Sequence, residues 1–232
     1  MRDADGTSHE LRLKAADGHI LPDMDWKTQF FNSPLKIFVE QVFDAMMDSV
    51  QTEFVPDVPY NVSFIGKGGN DIFAGSKFND ILWGAAGDDV LSGRVGNDSI
   101  AGGSGKDSLI GGWGDDTLNG GLGLDTMSGN GDADTLVFNS VLAARGDRIT
   151  DFVLADGDRI DLRLVDAIAG NVGFDGFLYI RNTGFGGHAG ESRLGHGPLN
   201  TFVEADTNGD GHADFTIVLS ASVAIDATAF IL

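Results

Sequence analysis

Between Gly102 and Ser128 the chain reads Gly102-Gly103-Ser104-Gly105-Lys106-Asp107-Ser108-Leu109-Ile110, then Gly111-Gly112-Trp113-Gly114-Asp115-Asp116-Thr117-Leu118-Asn119, then Gly120-Gly121-Leu122-Gly123-Leu124-Asp125-Thr126-Met127-Ser128. The nine-residue period extends in both directions, from Gly66 to Val137, and makes eight units. Each unit opens on glycine and has aspartate in sixth place: Asp71, Asp80, Asp89, Asp98, Asp107, Asp116, Asp125 and Asp134. An apolar residue follows two places later every time, from Phe73 and Leu82 to Met127 and Leu136. The fourth place is glycine except at Phe78 and Asp132. A short fixed period of this kind dictates a stacked architecture.

A glycine-rich hexad turns tightly because glycine reaches positive φ at little cost. The three residues left make a very short strand, with the apolar side chain on one face and its neighbours on the other. Two units complete one coil, so residues eighteen apart stack. That places Asp71, Asp89, Asp107 and Asp125 along one edge and Asp80, Asp98, Asp116 and Asp134 along the other. Adjacent coils lie roughly 4.8 Å apart, and carboxylates at that spacing repel unless a cation lies between them. Aspartates with turn carbonyls form an all-oxygen set, the preference of Ca²⁺. The carbonyl candidates are Gly66, Gly69, Gly84, Gly87, Gly93, Gly96, Gly102, Gly105, Gly111 and Gly114. Three gaps on each of two edges predict about six calcium ions. A disordered acidic linker would not keep an apolar eighth place in every unit.

The segment resembles the RTX (repeats-in-toxin, hemolysin-type calcium-binding repeat) family, which implies a parallel β-roll with Ca²⁺ between its turns. Composition agrees. The formal net charge is −20, and thirty of the thirty-five acidic residues are aspartate. Aspartate favours turns, where a helical acidic surface would use glutamate. Such a charge disfavours nucleic acid and anionic membrane surfaces. The chain has no cysteine, no apolar run long enough to span a bilayer, and no basic-then-apolar leader in residues 1–10.

The expected class is all-β: a parallel β-roll over residues 61–138, a C-terminal β-sheet cap over 139–232, and a short helical segment within residues 1–60. Ser33 and Pro34 suit a helix start, and Leu35, Phe38, Val39, Val42, Phe43, Met46, Met47 and Val50 recur at helical spacing. The seventh places Ile72, Ile81 and Val90 are apolar where later units carry Ser or Thr, so that helix, over 34–54, is expected to cover the first coils. Strands are expected at 135–138, 148–152, 159–164, 177–181, 201–204 and 215–219, separated by glycine-rich loops.

Gly146-Asp147-Arg148-Ile149-Thr150-Asp151-Phe152 and Gly157-Asp158-Arg159-Ile160-Asp161-Leu162, with His188–Leu194 and Asp206–Phe215, resemble the C-terminal domain of serralysin-type metalloproteases. Asp206, Asn208 and Asp210 begin like an EF-hand loop, but the bidentate Glu of its twelfth place falls on Ile217. With Asp214 they make either a calcium-organised hairpin or a plain Asx-rich turn.

Neither H-E-x-x-H nor G-x-S-x-G occurs, so no catalytic residue is expected. The preferred reading is a non-catalytic calcium-binding protein, secreted without a cleavable signal and folding on extracellular calcium. The alternative is the calcium-binding C-terminal module of a secreted protease or polysaccharide-modifying enzyme. Met1 and the separate helical zone are expected to mean that the chain is no truncated fragment. An ice- or polysaccharide-binding face is disfavoured, because the third places form no threonine ladder. The resemblance further implies export by type I secretion machinery, read from the C-terminal Asp226–Leu232, with Ala229 standing where the family usually has aspartate.

Overall fold

The repeats stack into two facing parallel sheets. The computed structural model describes residues 37–39, 61–170, 175–220, 223 and 225–232. One sheet joins β2 (Val62–Ile65), β4 (Ile81–Ala86), β6 (Ser99–Gly105), β8 (Thr117–Gly123) and β10 (Thr135–Val137); the facing one joins β3 (Ile72–Ala74), β5 (Val90–Val95), β7 (Ser108–Trp113) and β9 (Thr126–Gly131). Partners are eighteen residues apart throughout, as in Ile81↔Ser99↔Thr117 and Val90↔Ser108↔Thr126. The mid-roll strands run to six or seven residues rather than three. Identical turns stacked in register keep hydrogen-bonding through the glycine segment, as Gly103 does with Gly121.

Consecutive eighth-place side chains enter the interior from opposite sheets. Phe73, Leu82, Leu91, Ile100, Leu109, Leu118, Met127 and Leu136 are all buried. The column is one side chain wide, and the stacked rings of Phe64 and Phe73, with centroids 4.3 Å apart, stand at the first coil.

The sheets continue past the repeats. β11 (Arg148–Ile149) adds to β9 and β12 (Arg159–Asp161) adds to β10, at offsets of twenty-two and twenty-four residues. An antiparallel set of β14 (Glu191–His196), β15 (Thr201–Asp206) and β16 (Phe215–Leu219) then extends the β11 sheet, with β13 (Leu178–Tyr179) on its edge. β17 (Phe230–Ile231), preceded by a 3-10 turn at Ala227–Ala229, closes the other sheet against β12. β14 and β17 escape the sequence pattern. β14 is interrupted by Gly195, and β17 lies in a tail short enough to pass for a signal alone.

Two expectations are corrected. Ile37–Val39 is a strand, β1, parallel to β2, where the spacing predicts helix. The Ile-Phe-Val triplet has high strand propensity, and β2 would otherwise leave an open edge; the rest of that helix lies outside the described residues. Nor do Ile72, Ile81 and Val90 share a surface. Ile72 and Val90 belong to one sheet and Ile81 to the other, because adjacent units face opposite ways, so a single helix cannot cover all three. Among the described residues no helix is long and apolar enough to cross a membrane.

Leu109 is 0% exposed and Leu122 is 50% exposed. Leu109→Ala should lower stability by about 2–5 kcal/mol and Leu122→Ala by under about 0.5 kcal/mol, measured by denaturant unfolding with calcium present. Equal losses would contradict the one-residue-wide core.

Candidate metal centre

Each sixth-place aspartate is buried and linked to its neighbours along one edge. The Asp71 amide donates to Oδ1 of Asp89 at 2.8 Å, the Asp89 amide to Asp107 at 2.9 Å, and the Asp107 amide to Asp125 at 2.9 Å. On the other edge Asp80 donates to Asp98 at 2.7 Å, Asp98 to Asp116 at 2.7 Å and Asp116 to Asp134 at 3.0 Å. One oxygen of the carboxylates of Asp89, Asp98, Asp107, Asp116, Asp125 and Asp134 therefore stitches coils together.

The second oxygen explains the glycine that opens each unit. A Cβ built on Gly84 would strike both Oδ2 of Asp89 and the carbonyl of Gly102, and the same convergence occurs at Gly102 with Asp107 and the Gly120 carbonyl. At Gly111 the pair is Asp116 and the Gly129 carbonyl. Glycine opens the unit because a carboxylate and a carbonyl meet there. At Gly103, φ is +118°, and the same place is filled by Ala85 and Arg94 with φ of 81° each, a conformation that costs L side chains energy.

The second oxygens of Asp89, Asp98, Asp107, Asp116, Asp125, Asp134 and Asp147 have no hydrogen-bond partner among the described residues. A buried oxygen left unpaired costs about 1–3 kcal/mol, more when charged. Two carboxylates one coil apart repel by about 3 kcal/mol at an effective dielectric near 20. Burial, helped by neighbouring aspartates, raises Asp98, Asp107 and Asp134 to about 7, Asp147 likewise, and Asp116 to about 6. Oxygen-only, anionic, buried and unpartnered groups beside carbonyls fit a hard divalent cation. Among the described residues no three acidic or histidine side chains converge to hold a metal by themselves. An ion would therefore take carbonyls as well, with Asp89, Asp107 and Asp116 beside Gly102, Gly120 and Gly129 as candidate ligands. When bound it would supply positive charge between the coils.

Of the predicted carbonyls, those of Gly84, Gly93 and Gly102 lie with Oδ2 of Asp71, Asp80 and Asp89 respectively. Those of the fourth-place Gly69, Gly87, Gly96 and Gly105 face the glycine eighteen residues on, at Gly87, Gly105, Gly114 and Gly123. The opener Gly66 and the fourth-place Gly114 have their own close approaches, to Gly84 with Asp71 and to Gly96.

The loop after β15 is organised differently. Asp206 accepts from the amides of Asn208, Gly209 and Gly211 at 3.2, 2.6 and 2.8 Å. Asp214 accepts from the Thr207 amide and hydroxyl, both at 2.7 Å, and from the Asn208 side chain at 2.8 Å. Burial works against the Asp214 anion, but these bonds and Arg145 hold it below the usual range. Asn208 and Asp210 accept from Asp210 and His212 amides. These are Asx-turn bonds, and through them Asp206, Asn208, Asp210 and Asp214 order the hairpin.

Sequence reasoning missed three features. Asp147 and Asp158 extend the two columns, Asp147 accepting from the Asp125 amide at 2.9 Å and Asp158 from the Asp134 amide at 3.1 Å. The signal was the Asp-x-Ile spacing kept at Asp147–Ile149 and Asp158–Ile160. Asp151 accepts from the Gly129 and Asn130 amides at 3.2 and 2.9 Å and ties down the last repeat turn. The fifth places form an exposed ladder running the opposite way, in which Asn70, Asn79, Asp88, Asn97 and Asp115 accept from amides eighteen residues later.

Residues 65–100, 92–127 and 110–140 match the family model described as RTX calcium-binding nonapeptide repeat (4 copies). No curated protein matches the chain. Two similar solved structures are the solution structures of the AlgE6R3 and AlgE6R2 subunits of the Azotobacter vinelandii mannuronan C5-epimerase. The first is 25% identical, with TM-score 0.44, covering 72% of this chain and 80% of that one; the second is 22% identical, with TM-score 0.36, covering 69% and 91%. At those scores the likeness carries nothing about activity.

An aspartate with a raised value in the fold binds its proton more readily there than in the open chain. Its stabilising contribution is complete below the ordinary value of about 3.9 and is lost as pH rises through about 7. In chelator, acidification from pH 7 towards 4 should therefore raise β-content by circular dichroism, while calcium affinity falls as protons compete. A metal-free chain whose β-content is flat over that window would contradict the buried columns.

The second turn is exceptional. With Phe78 in its fourth place, Asp80 accepts from both the amide and the hydroxyl of Ser76, and the Phe78 amide bonds to the Ser76 hydroxyl at 3.1 Å. Asp89→Ala should remove calcium from the adjoining coils, whereas Asp80→Ala should leave the stoichiometry nearly unchanged, measured by equilibrium dialysis. Equal losses would contradict this ranking. The geometry and the family match agree: residues 65–140 are a run of RTX calcium-binding nonapeptide repeats folded as a parallel β-roll.

Proposed function

We propose that the chain is a secreted, non-catalytic calcium-binding protein whose β-roll closes when it meets extracellular calcium. The observation that carries this reading is the pair of columns of buried carboxylates, in which Asp89, Asp98, Asp107, Asp116, Asp125 and Asp134 each present one oxygen without a hydrogen-bond partner among the described residues, with those of Asp89, Asp107 and Asp116 beside carbonyls. Extracellular calcium modules bind at roughly 10⁻⁴–10⁻³ M, so mass action favours the open chain at micromolar calcium and the closed roll at millimolar. Six inter-coil gaps, less the one at Asp80 that Ser76 occupies, set about five ions as the stoichiometry expected for the nonapeptide segment alone.

Export by a type I machine fits this direction. An acidic chain in low calcium stays extended enough to thread, and folding outside opposes retreat. The tail has a second duty, since Asp226 caps the 3-10 turn, Ala229 is buried and Ile231 accepts from the Leu162 amide at 2.9 Å. Deleting residues 226–232 should abolish export from cells carrying a matching exporter. The purified truncation should keep its calcium-induced rise in β-content at reduced stability. Undiminished export would show that the signal lies elsewhere, and identical circular dichroism of the whole chain in chelator and in millimolar calcium would overturn calcium-driven folding.

A further inference from the structure

We propose that Asp147, which lies beyond the last nonapeptide, is the final carboxylate of a divalent-cation column, and that Asp158, its counterpart on the other edge, is not. The inference rests on the calcium reading of the roll and adds to it a site outside the repeats.

Asp147 is 0% exposed. Its Oδ1 accepts from the Asp125 amide at 2.9 Å, as the carboxylates of Asp89, Asp107 and Asp125 accept from the coil before them. Among the described residues its Oδ2 has no hydrogen-bond partner, and neither has Oδ2 of Asp125 in the preceding coil. Two unpartnered, buried carboxylate oxygens thus occupy successive coils, the condition found at Asp107 and Asp125. The backbone holds Asp147 firmly. Its carbonyl accepts from the Val218 amide and the Gly146 amide donates to Thr216, both at 2.8 Å, so β16 fixes the end of the column. An oxygen-only pair of anions between parallel strands takes a hard divalent cation such as calcium, with flexible geometry and carbonyls to complete it.

Asp158 begins alike and ends differently. Its Oδ1 accepts from the Asp134 amide at 3.1 Å, but its Oδ2 accepts from the Val153 amide at 2.7 Å. The turn that delivers this donor is built within residues 151–157, with Asp156 and Gly157 amides bonded to the Val153 and Leu154 carbonyls. Before Asp147 the chain turns through residues 140–144, with the Ala144 amide on the Ser140 carbonyl, and brings no N–H to Oδ2. At the start of the Asp158 edge, Asp80 is engaged by Ser76. One edge is therefore closed at both ends by N–H donors, while the other runs open to Asp147. The two edges should hold unequal numbers of ions.

Calcium stoichiometry of the full chain decides this, measured by equilibrium dialysis on the unaltered protein, D147N and D158N. Asparagine keeps the Oδ1 acceptor and removes the charge. D147N should bind about one ion fewer than the unaltered chain, and D158N should bind the same number. Full stoichiometry in D147N overturns the proposal, and so does an equal loss in D158N. If the unaltered chain binds no calcium, the calcium reading itself falls, which is a distinct result. Should D147N fail to fold, crystals of the unaltered protein grown with calcium decide the same question. Anomalous density between Asp125 and Asp147 with none at Asp158 supports the assignment, and density at Asp158 without any at Asp147 overturns it.

Discussion

Everything in this molecule is arranged around repulsion between buried carboxylates in successive coils. Each step along a column sets two anions one strand spacing apart, at about 3 kcal/mol per pair, against a whole-domain stability of about 5–15 kcal/mol. The apolar column of Leu82, Leu91, Ile100, Leu109 and Leu118 is one side chain wide and cannot offset several such steps while also meeting the entropy of ordering a glycine-rich chain. Either protons or cations must neutralise the edges. Burial together with neighbouring aspartates raises Asp98 and Asp134 to about 7, so below that pH protons can neutralise the edges, and above it the proposed cations would do so.

The remaining elements act as solutions to the two ends of that stack. At the entrance the Phe64 and Phe73 rings stack and Ser76 occupies the Asp80 carboxylate. At the exit Asp151 binds the last repeat turn, Val153 occupies Asp158, and the antiparallel strands β14, β15 and β16 continue one sheet while β17 ends the other. A parallel stack has open edges by construction, and the C-terminal residues cover one end with structure that owes nothing to the nine-residue period. The apolar side chains Phe138, Phe152, Leu162, Phe177 and Phe215 extend the same core without a break.

Much of the roll was legible because period, core and carboxylates coincide in one nine-residue pattern. Stacking at eighteen residues, the Asp columns and the defective turn at Phe78 follow from spacing alone. The columns' last members were not, because Asp147 and Asp158 keep the Asp-x-Ile end of the motif but lose the glycine hexad before it. The outer surface was misread at Ile72, Ile81 and Val90 because the eighteen-residue stacking was applied to the aspartates and not to the seventh places, where it puts Ile81 on the sheet opposite Ile72 and Val90. Asp206 was ambiguous for a different reason: Asx turns and calcium loops use the same residues and the same amide-to-carboxylate bonds.

Backbone amide hydrogen exchange of Asp71, Asp89, Asp107 and Asp125 tests the central claim most directly, since these N–H groups bond to the carboxylates of the next coil. Calcium-closed coils predict strong and nearly uniform protection in millimolar calcium at pH 7 and its collective loss in chelator. Protection of the four amides that is the same with and without calcium would contradict it.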